Sequence, residues 1–342
     1  MQTCNSCGTT RHVYHSCRNR HCPLCQTRAK EAWLAARRRE VLPVPYFHLV
    51  FTLPHVLNGL IGQCPRALYE MLFGAVSATL TEFAANARWL GGTPAFSLVL
   101  HTWKQDLGRH VHAHALMAGG ALSSAGDWLA AKRGFLFPIE ALSEVFRGKF
   151  VAALKAAHQR GKLQQADLAE GAWRDLLAGL YVHDWVVYAK QPLGGPAQVL
   201  DYLGRYTHRV AISNERILGM QGDTVSIRVR DWTQGNRRRT LNMPAQTFIE
   251  RFLLHVLPKG FKRIRHYGLL GPAGKVAKLA QARAALSVPP PDPLVVESVE
   301  AFMQRIARIE WSRCPHCGNG RFVPTALIAP APMPLLHLRG PP

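Results

Sequence analysis

The sequence predicts an α+β protein: an antiparallel sheet with helices against it and a small metal-stapled module. Three observations carry this. Short β-branched and aromatic runs alternate with longer stretches at helical spacing. One run, Gly108-Arg-His-Val-His-Ala-His-Ala-Leu-Met-Ala-Gly-Gly120, sets three histidines at alternate positions. Six of the eight cysteines fall in CxxC pairs: Cys4/Cys7, Cys22/Cys25 and Cys314/Cys317.

Composition narrows the partners. The chain has 342 residues, 48% of them hydrophobic, and a mean hydropathy close to zero. This fits a folded protein with a sizeable core. Lys and Arg number 42 against 21 Asp and Glu, a formal net charge of +21. Such an excess points to a polyanion, nucleic acid above all. A membrane surface is the alternative, but no stretch has the long uncharged apolar run of a spanning helix. The most apolar helical candidate, Ala67 to Ala85, contains Glu70 and Glu82. No secretory signal is read, and clustered cysteines suit zinc in a reducing compartment rather than secreted disulfides.

Residues 1–30 read as a zinc ribbon or knuckle. Two CxxC turns can each aim two thiolates at one tetrahedral ion, and so short a segment has no core without a metal. Cys17 and His21 lie between the pairs, so the ligands are four among Cys4, Cys7, Cys17, His21, Cys22 and Cys25. A basic helix follows over residues 29–42, with Arg37, Arg38 and Arg39 on a solvated face.

Tyr46 to Pro54 is a strand candidate, stopped by its proline. A helical pattern covers about 64–88, and Phe96 to Trp103 forms a second strand. Asp106 and Gly108 mark a turn into the histidine run, which gives a hairpin. On a strand, His110, His112 and His114 face one way, while Val111 and Ala113 face the core. Imidazoles in such a row make a platform for a divalent ion. Gly119-Gly120 is expected to break the strand. His48 and His101 sit on neighbouring strands; each is a further ligand or a core histidine, and the core reading is preferred.

Residues 127–181 read as mostly helical, an insertion or a packing layer. Asp184 to Lys190 is a fourth strand candidate. Ala197 to Arg209 then reads as a helix whose Tyr202 and Tyr206, four residues apart, share one face. Taken alone, such a pair packs more often than it reacts. Arg205, His208 and Arg209 make its surroundings cationic, which favours a nearby phosphate and a phenolate. A metal on the histidine strand would polarise a phosphodiester that a tyrosine attacks.

Strands are expected over Val210 to Ser213 and Thr224 to Trp232, with Arg237, Arg238 and Arg239 at a hairpin tip. An amphipathic helix spans Phe248 to Val256. Then Lys259, Lys262, Arg263 and Arg265 interleave with Phe261 and Tyr267, a pattern that suits a groove tracking a nucleic-acid strand. Residues 287–293 are a stiff Pro-rich linker. Cys314-Pro-His-Cys317 is half a zinc site that borrows ligands from elsewhere or is vestigial. The last twenty or so residues read as disordered.

Several of these segments together resemble the rolling-circle insertion-sequence transposases of the IS-ninety-one type, the HUH family with paired tyrosines. They are His15 to Cys25, Tyr46 to Pro54, the histidine strand with Gly119-Gly120, Tyr202 to Asn214, and Leu257 to Gly268. The resemblance spans nearly the whole chain in order. It implies a ferredoxin-like (RRM-like) HUH nuclease core over 31–218 with a helical insertion at about 127–181. Around this it implies a zinc-binding domain at 1–30, a basic strand–helix DNA-binding region at 219–286, and a linker, CxxC knuckle and tail at 287–342. It implies structural Zn²⁺, and catalytic Mg²⁺ or Mn²⁺ held by His112 and His114 with His110 as third ligand. It implies nicking of single-stranded DNA at element ends and targets through a 5′-phosphotyrosine, with Tyr206 the first choice of nucleophile and Tyr202 accepting the strand in the closing transfer. Arg205, Arg209, Lys259, Lys262, Arg263 and Arg265 are the expected DNA contacts. Self-association and a bacterial cytoplasmic, nucleoid-associated location are further expectations. The chain departs from the family pattern in starting almost on its first CxxC and in the small Ala113 between the histidines. A non-catalytic zinc-dependent DNA-binding remnant and an HUH replication initiator are the alternatives.

Overall fold

The computed structural model describes residues 1–13, 26–132, 134–166, 169–182, 185–193, 198–199, 204, 211–231, 235, 237–293, 297–307, 310 and 312–328. The chain divides into two compact units, one formed by Arg20–Leu294 and one joining Met1–Asn19 to Val295–Pro342. In chain order the elements begin β1 (Gln2–Cys4), β2 (Thr10–Arg11), α1 (Gln26–Arg38), β3 (Tyr46–Thr52), α2 (Asn58–Gln63) and α3 (Pro65–Ala85). Then come β4 (Thr93–Trp103), β5 (Arg109–Leu122), β6 (Trp128–Ala130), α4 (Ile139–Gln159), α5 (Glu170–Val182) and β7 (Val187–Leu193). The rest are β8 (Ile217–Gln221), β9 (Thr224–Asp231), β10 (Arg237–Pro244), α6 (Ala245–Leu253), β11 (Ile264–Gly268), α7 (Lys275–Ala285), α8 (Val299–Ala307) and β12 (Phe322–Pro324).

The larger unit is built on one sheet of order β11-β4-β5-β3-β7, with β6 paired to the end of β5. Every neighbouring pair is antiparallel. Period-2 alternation sorts the side chains. Phe47, Leu49 and Phe51 of β3, Phe96, Leu98 and Leu100 of β4, and Val111, Ala113, Ala115 and Met117 of β5 share one buried core. Against them lie α3 and α4. Pro65 opens α3 at its first turn, where a missing N–H costs nothing. Leu68, Leu72, Val76 and Leu80 then recur at i+4 and are buried; Leu142, Phe146, Phe150 and Leu154 do the same on α4. Each such side chain stabilises the fold by about 1.5–3 kcal/mol. Within the expected helical stretch 127–181, α4 therefore supplies a packing layer of the core.

Gly119-Gly120 does not end the histidine strand: β5 continues to Leu122. A Cβ on Gly119 would lie 2.9 Å from the Pro45 carbonyl oxygen, and one on Gly120 would lie 2.6 Å from the Trp128 ring. The glycines let neighbours close in on the strand rather than terminate it. The strand expected over Val210 to Ser213 is also absent among its described residues: Ala211–Ser213 are irregular, and Val210 lies outside the described residues.

The sheet's second face carries Tyr46, Leu116 and Ala118, buried against Leu34 of α1 and Leu279 and Ala282 of α7. A separate small sheet, order β10-β9-β8, packs Val225, Ile227, Val229 and Met243 around Leu107 from the β4–β5 turn. In the other unit β1 pairs with β2 on one side and β12 on the other. Among the described residues no helix is long and apolar enough to cross a membrane.

Candidate functional site

The histidine strand behaves as its alternation requires. Val111 and Ala113 are buried on the helical side, so His110, His112 and His114 face the other way. The ladder adds a residue: His101 of β4 stands directly opposite His112. His101, His112 and His114 offer ligand atoms that all lie within 4.8 Å of one another. Ring centroids are 4.2 Å apart for His101–His114 and 4.7 Å for His112–His114. His101, though buried, therefore stands within the cluster.

Hydrogen bonds orient the rings. His112 Nδ1 donates to the His110 carbonyl at 2.9 Å, which leaves Nε2 as the lone-pair nitrogen. Burial, reinforced by His110, pushes its pKa down to about 4, so the ring is neutral and ligand-competent at neutral pH. His48 Nε2 lies 2.8 Å from His114 Nδ1, with the two rings stacked at 5.1 Å; the atom His114 offers a metal is then Nε2. His110 goes elsewhere. Its Nδ1 is 3.0 Å from His55 Nε2, and it does not belong to the three-residue cluster.

Trp103 stacks on His101 at 4.7 Å and walls this end of the centre. Behind it His255, almost fully buried, donates from Nε2 to the Leu107 carbonyl at 2.9 Å and accepts from the Thr102 hydroxyl at 3.1 Å. Leu107 takes a left-handed backbone (φ 64°) while its side chain is buried.

Tyr202, Tyr206, Arg205 and Arg209 lie outside the described residues, as do Cys17, His21, Cys22 and Cys25. Of the other expected DNA contacts, Lys259 and Lys262 are exposed, and the Arg263 guanidinium sits 5.9 Å from the Trp103 ring. Arg265 instead forms a two-point ion pair with Glu70, at 2.6 and 2.7 Å, which holds the Glu70 carboxyl below the usual range. It also lies over Phe73 at 4.4 Å. Phe261 is buried between Tyr69 and Phe73, and Tyr267 stacks on Phe96. The aromatic residues of this stretch thus pack on the core, Phe261 from the turn before β11 and Tyr267 from edge strand β11 itself.

The smaller unit holds a second candidate metal centre. The first CxxC pair meets the last one: Cys4, Cys7, Cys314 and Cys317 bring their sulfurs within 4.8 Å of one another. Cys4 Sγ to Cys317 Sγ is 3.7 Å and Cys7 Sγ to Cys314 Sγ is 3.8 Å. Tetrahedral Zn–S bonds of about 2.3 Å require sulfurs about 3.8 Å apart, so the set fits zinc. Backbone N–H groups of Ser6 and Gly320 donate to Cys4 and Cys317. The Thr9 hydroxyl, 3.1 Å from Cys7 Sγ, helps hold that thiol down to about 6. A Cβ on Gly320 would lie 2.4 Å from Cys4 Sγ. The C-terminal pair supplies half of this set, which among the described residues shares only Cys4 and Cys7 with the expected four from Cys4, Cys7, Cys17, His21, Cys22 and Cys25; CxxC turns look alike in sequence, and the two chain ends meet only in the fold.

Comparison with known proteins bears on both centres. Residues 95–277, which carry the histidine cluster, match the family described as "Putative transposase". Residues 1–53 match the family described as "Transposase zinc-binding domain". The chain is 42% identical to "Putative transposase y4qJ" of Sinorhizobium fredii, over 94% of this chain and 83% of that protein. It is 27% identical to the transposase for insertion sequence element IS801 of Pseudomonas savastanoi pv. phaseolicola, over 95% of this chain and 78% of that protein. The chain belongs to the IS-ninety-one family of transposases, with that family's zinc-binding domain in its N-terminal part.

Proposed function

We propose that this transposase is an HUH-type, metal-dependent nuclease and strand transferase acting on single-stranded DNA through a 5′-phosphotyrosine in rolling-circle transposition. The observation that carries the reading is the convergence of His101, His112 and His114 on one point of the sheet. The succession β3-α3-β4-β5-α4-β7, with strand order β4-β5-β3-β7, supports a ferredoxin-like core.

His112 and His114 would hold the catalytic ion with His101, rather than His110, as third ligand. Three imidazoles fit a borderline ion better than Mg²⁺, which prefers oxygen donors, so of the two expected ions Mn²⁺ suits this set. Bound there, the ion supplies Lewis-acid polarisation of the scissile phosphate. The His110 carbonyl and His48 keep the two β5 rings in their ligand tautomers. Tyr206 Oη forms the bond to phosphorus; the P–O3′ bond breaks, and the phenolic proton ends on the released 3′ hydroxyl. Tyr202 would accept the strand in the second transfer. The four cysteines would hold structural Zn²⁺. Lys259 and Lys262, with Arg205, Arg209 and Arg263, would attract the strand; Arg265 has a structural role beside Glu70.

The test is to incubate the full chain with labelled single-stranded DNA from an element end and Mn²⁺, then look for an SDS-resistant adduct. The reading expects an adduct that disappears in Tyr206→Phe and in His112→Ala. Intact DNA binding with no adduct in the parent protein would leave a purely binding protein.

A further inference from the structure

The arginine cluster of the small sheet is not absorbed by the nuclease reading. In the β9–β10 ribbon, three consecutive cross-strand pairs share the face turned away from the core: Ser226 with Asn242, Arg228 with Thr240, and Arg230 with Arg238. The alternate residues of β9, Val225, Ile227 and Val229, are buried, so this face is fixed by the pleat. Arg228, Arg230 and Arg238 are exposed, and no carboxylate stands among the six residues of these pairs. Arg230 directly opposite Arg238 is a like-charge pair, which weakens a ribbon that has no anion beside it.

The ribbon is anchored to the hairpin that bears the histidines. Its core face packs on Leu107. Arg216 donates to the Gln105 carbonyl and also to that of Arg228, and Arg251 donates to the Asp106 carbonyl at 3.0 Å. A DNA held on the ribbon is therefore held at a set distance from the metal centre.

From this we infer that the outer face of β9–β10 binds double-stranded DNA, as the grip on a duplex stem next to the strand to be cut. The inference rests on the reading of the protein as a DNA strand transferase. The six side chains are cationic or polar hydrogen-bonding groups suited to phosphates and base edges, and the strands of a small sheet can lie in a duplex groove. None of these six described residues is aromatic, so they offer no stacking platform of the kind that captures unpaired bases.

The experiment measures full-length protein binding to a labelled 20-base-pair duplex and to oligo-dT of 20 nucleotides, by fluorescence anisotropy across a KCl series. The variants are Arg228→Ala/Arg230→Ala/Arg238→Ala and the matching triple Lys change. Three phosphate contacts predict that the alanine variant lowers the log–log salt slope for duplex by about 2–3. Duplex affinity at low salt should fall at least about tenfold, oligo-dT binding should stay within about twofold, and the Lys variant should keep most of the slope. An unchanged duplex slope in the alanine variant overturns the assignment. An equal loss on oligo-dT overturns its restriction to duplex, and failure of the Lys variant to restore the slope makes the effect one of folding and removes the contact. The adduct assay on single-stranded DNA separates the two claims: a missing adduct in the parent protein defeats the nuclease reading and leaves the ribbon result intact.

Discussion

In the proposed centre His48 would act without touching substrate. Its Nε2 sits 2.8 Å from His114 Nδ1, and a ligand histidine is held in tautomer and orientation by whatever its second nitrogen meets. Replacing His48 by Ala should weaken Mn²⁺ binding about 10–100-fold, and His48→Gln, which keeps an acceptor, should lose less; titration of free Mn²⁺ by electron paramagnetic resonance reads both. His266 of β11 makes a different prediction. It donates from Nδ1 to Ser97 Oγ at 2.7 Å and accepts from Arg37 at 2.9 Å. Burial, with Arg37 and Lys275 nearby, lowers its pKa to about 4. The unfolded chain takes this proton near pH 6.5, so between the two values the unfolded state binds more protons. Stability is then full above about pH 6.5 and falls as the pH drops toward 4. Urea midpoints should follow that fall, and His266→Gln should make it shallower.

At the scale of elements, the glycines are the sharpest test of packing. Gly120 lies under Trp128, and Gly268 combines a φ of 61° with a Cβ position only 1.8 Å from the Pro94 carbonyl oxygen. Gly120→Ala should cost about 1–3 kcal/mol in urea denaturation through overpacking. Gly268→Ala should cost more, since backbone strain is added to the clash. These two positions also mark what a sequence conveys. The His110–His114 alternation was legible because it is local: period 2 alone fixes which side each residue faces. Gly119-Gly120 read as a break because a close approach by Pro45 and Trp128 is a tertiary fact. His101 read as core because the ladder that sets it opposite His112 has a register that its own strand does not encode. Phe261 and Tyr267 read as a nucleic-acid groove for the same reason: the pairing of β11 with β4 sets Tyr267 against Phe96, and the turn before β11 puts Phe261 against Tyr69 and Phe73.

For the whole molecule, the consequential feature is that both ends of the chain build one unit. If Cys4, Cys7, Cys314 and Cys317 hold one zinc, Cys4→Ser and Cys314→Ser should each lower the zinc content by about one ion per chain. The double variant should lose no more than either single one, because the ligands serve the same ion. Additive losses by elemental analysis would mean two separate sites. Three CxxC pairs were plain in the sequence, but which two meet depends on where the fold brings the chain ends. The transposase assignment, by contrast, was legible from motifs spread along the chain.

The proposed reaction depends on a three-histidine metal centre in the sheet, completed from β4. Pulsed electron paramagnetic resonance of Mn²⁺ bound to the full-length protein counts the coordinated imidazole nitrogens. Three are expected in the parent, two in His101→Ala, and three in His110→Ala. A count unchanged by His101→Ala, or lowered by His110→Ala, would contradict it.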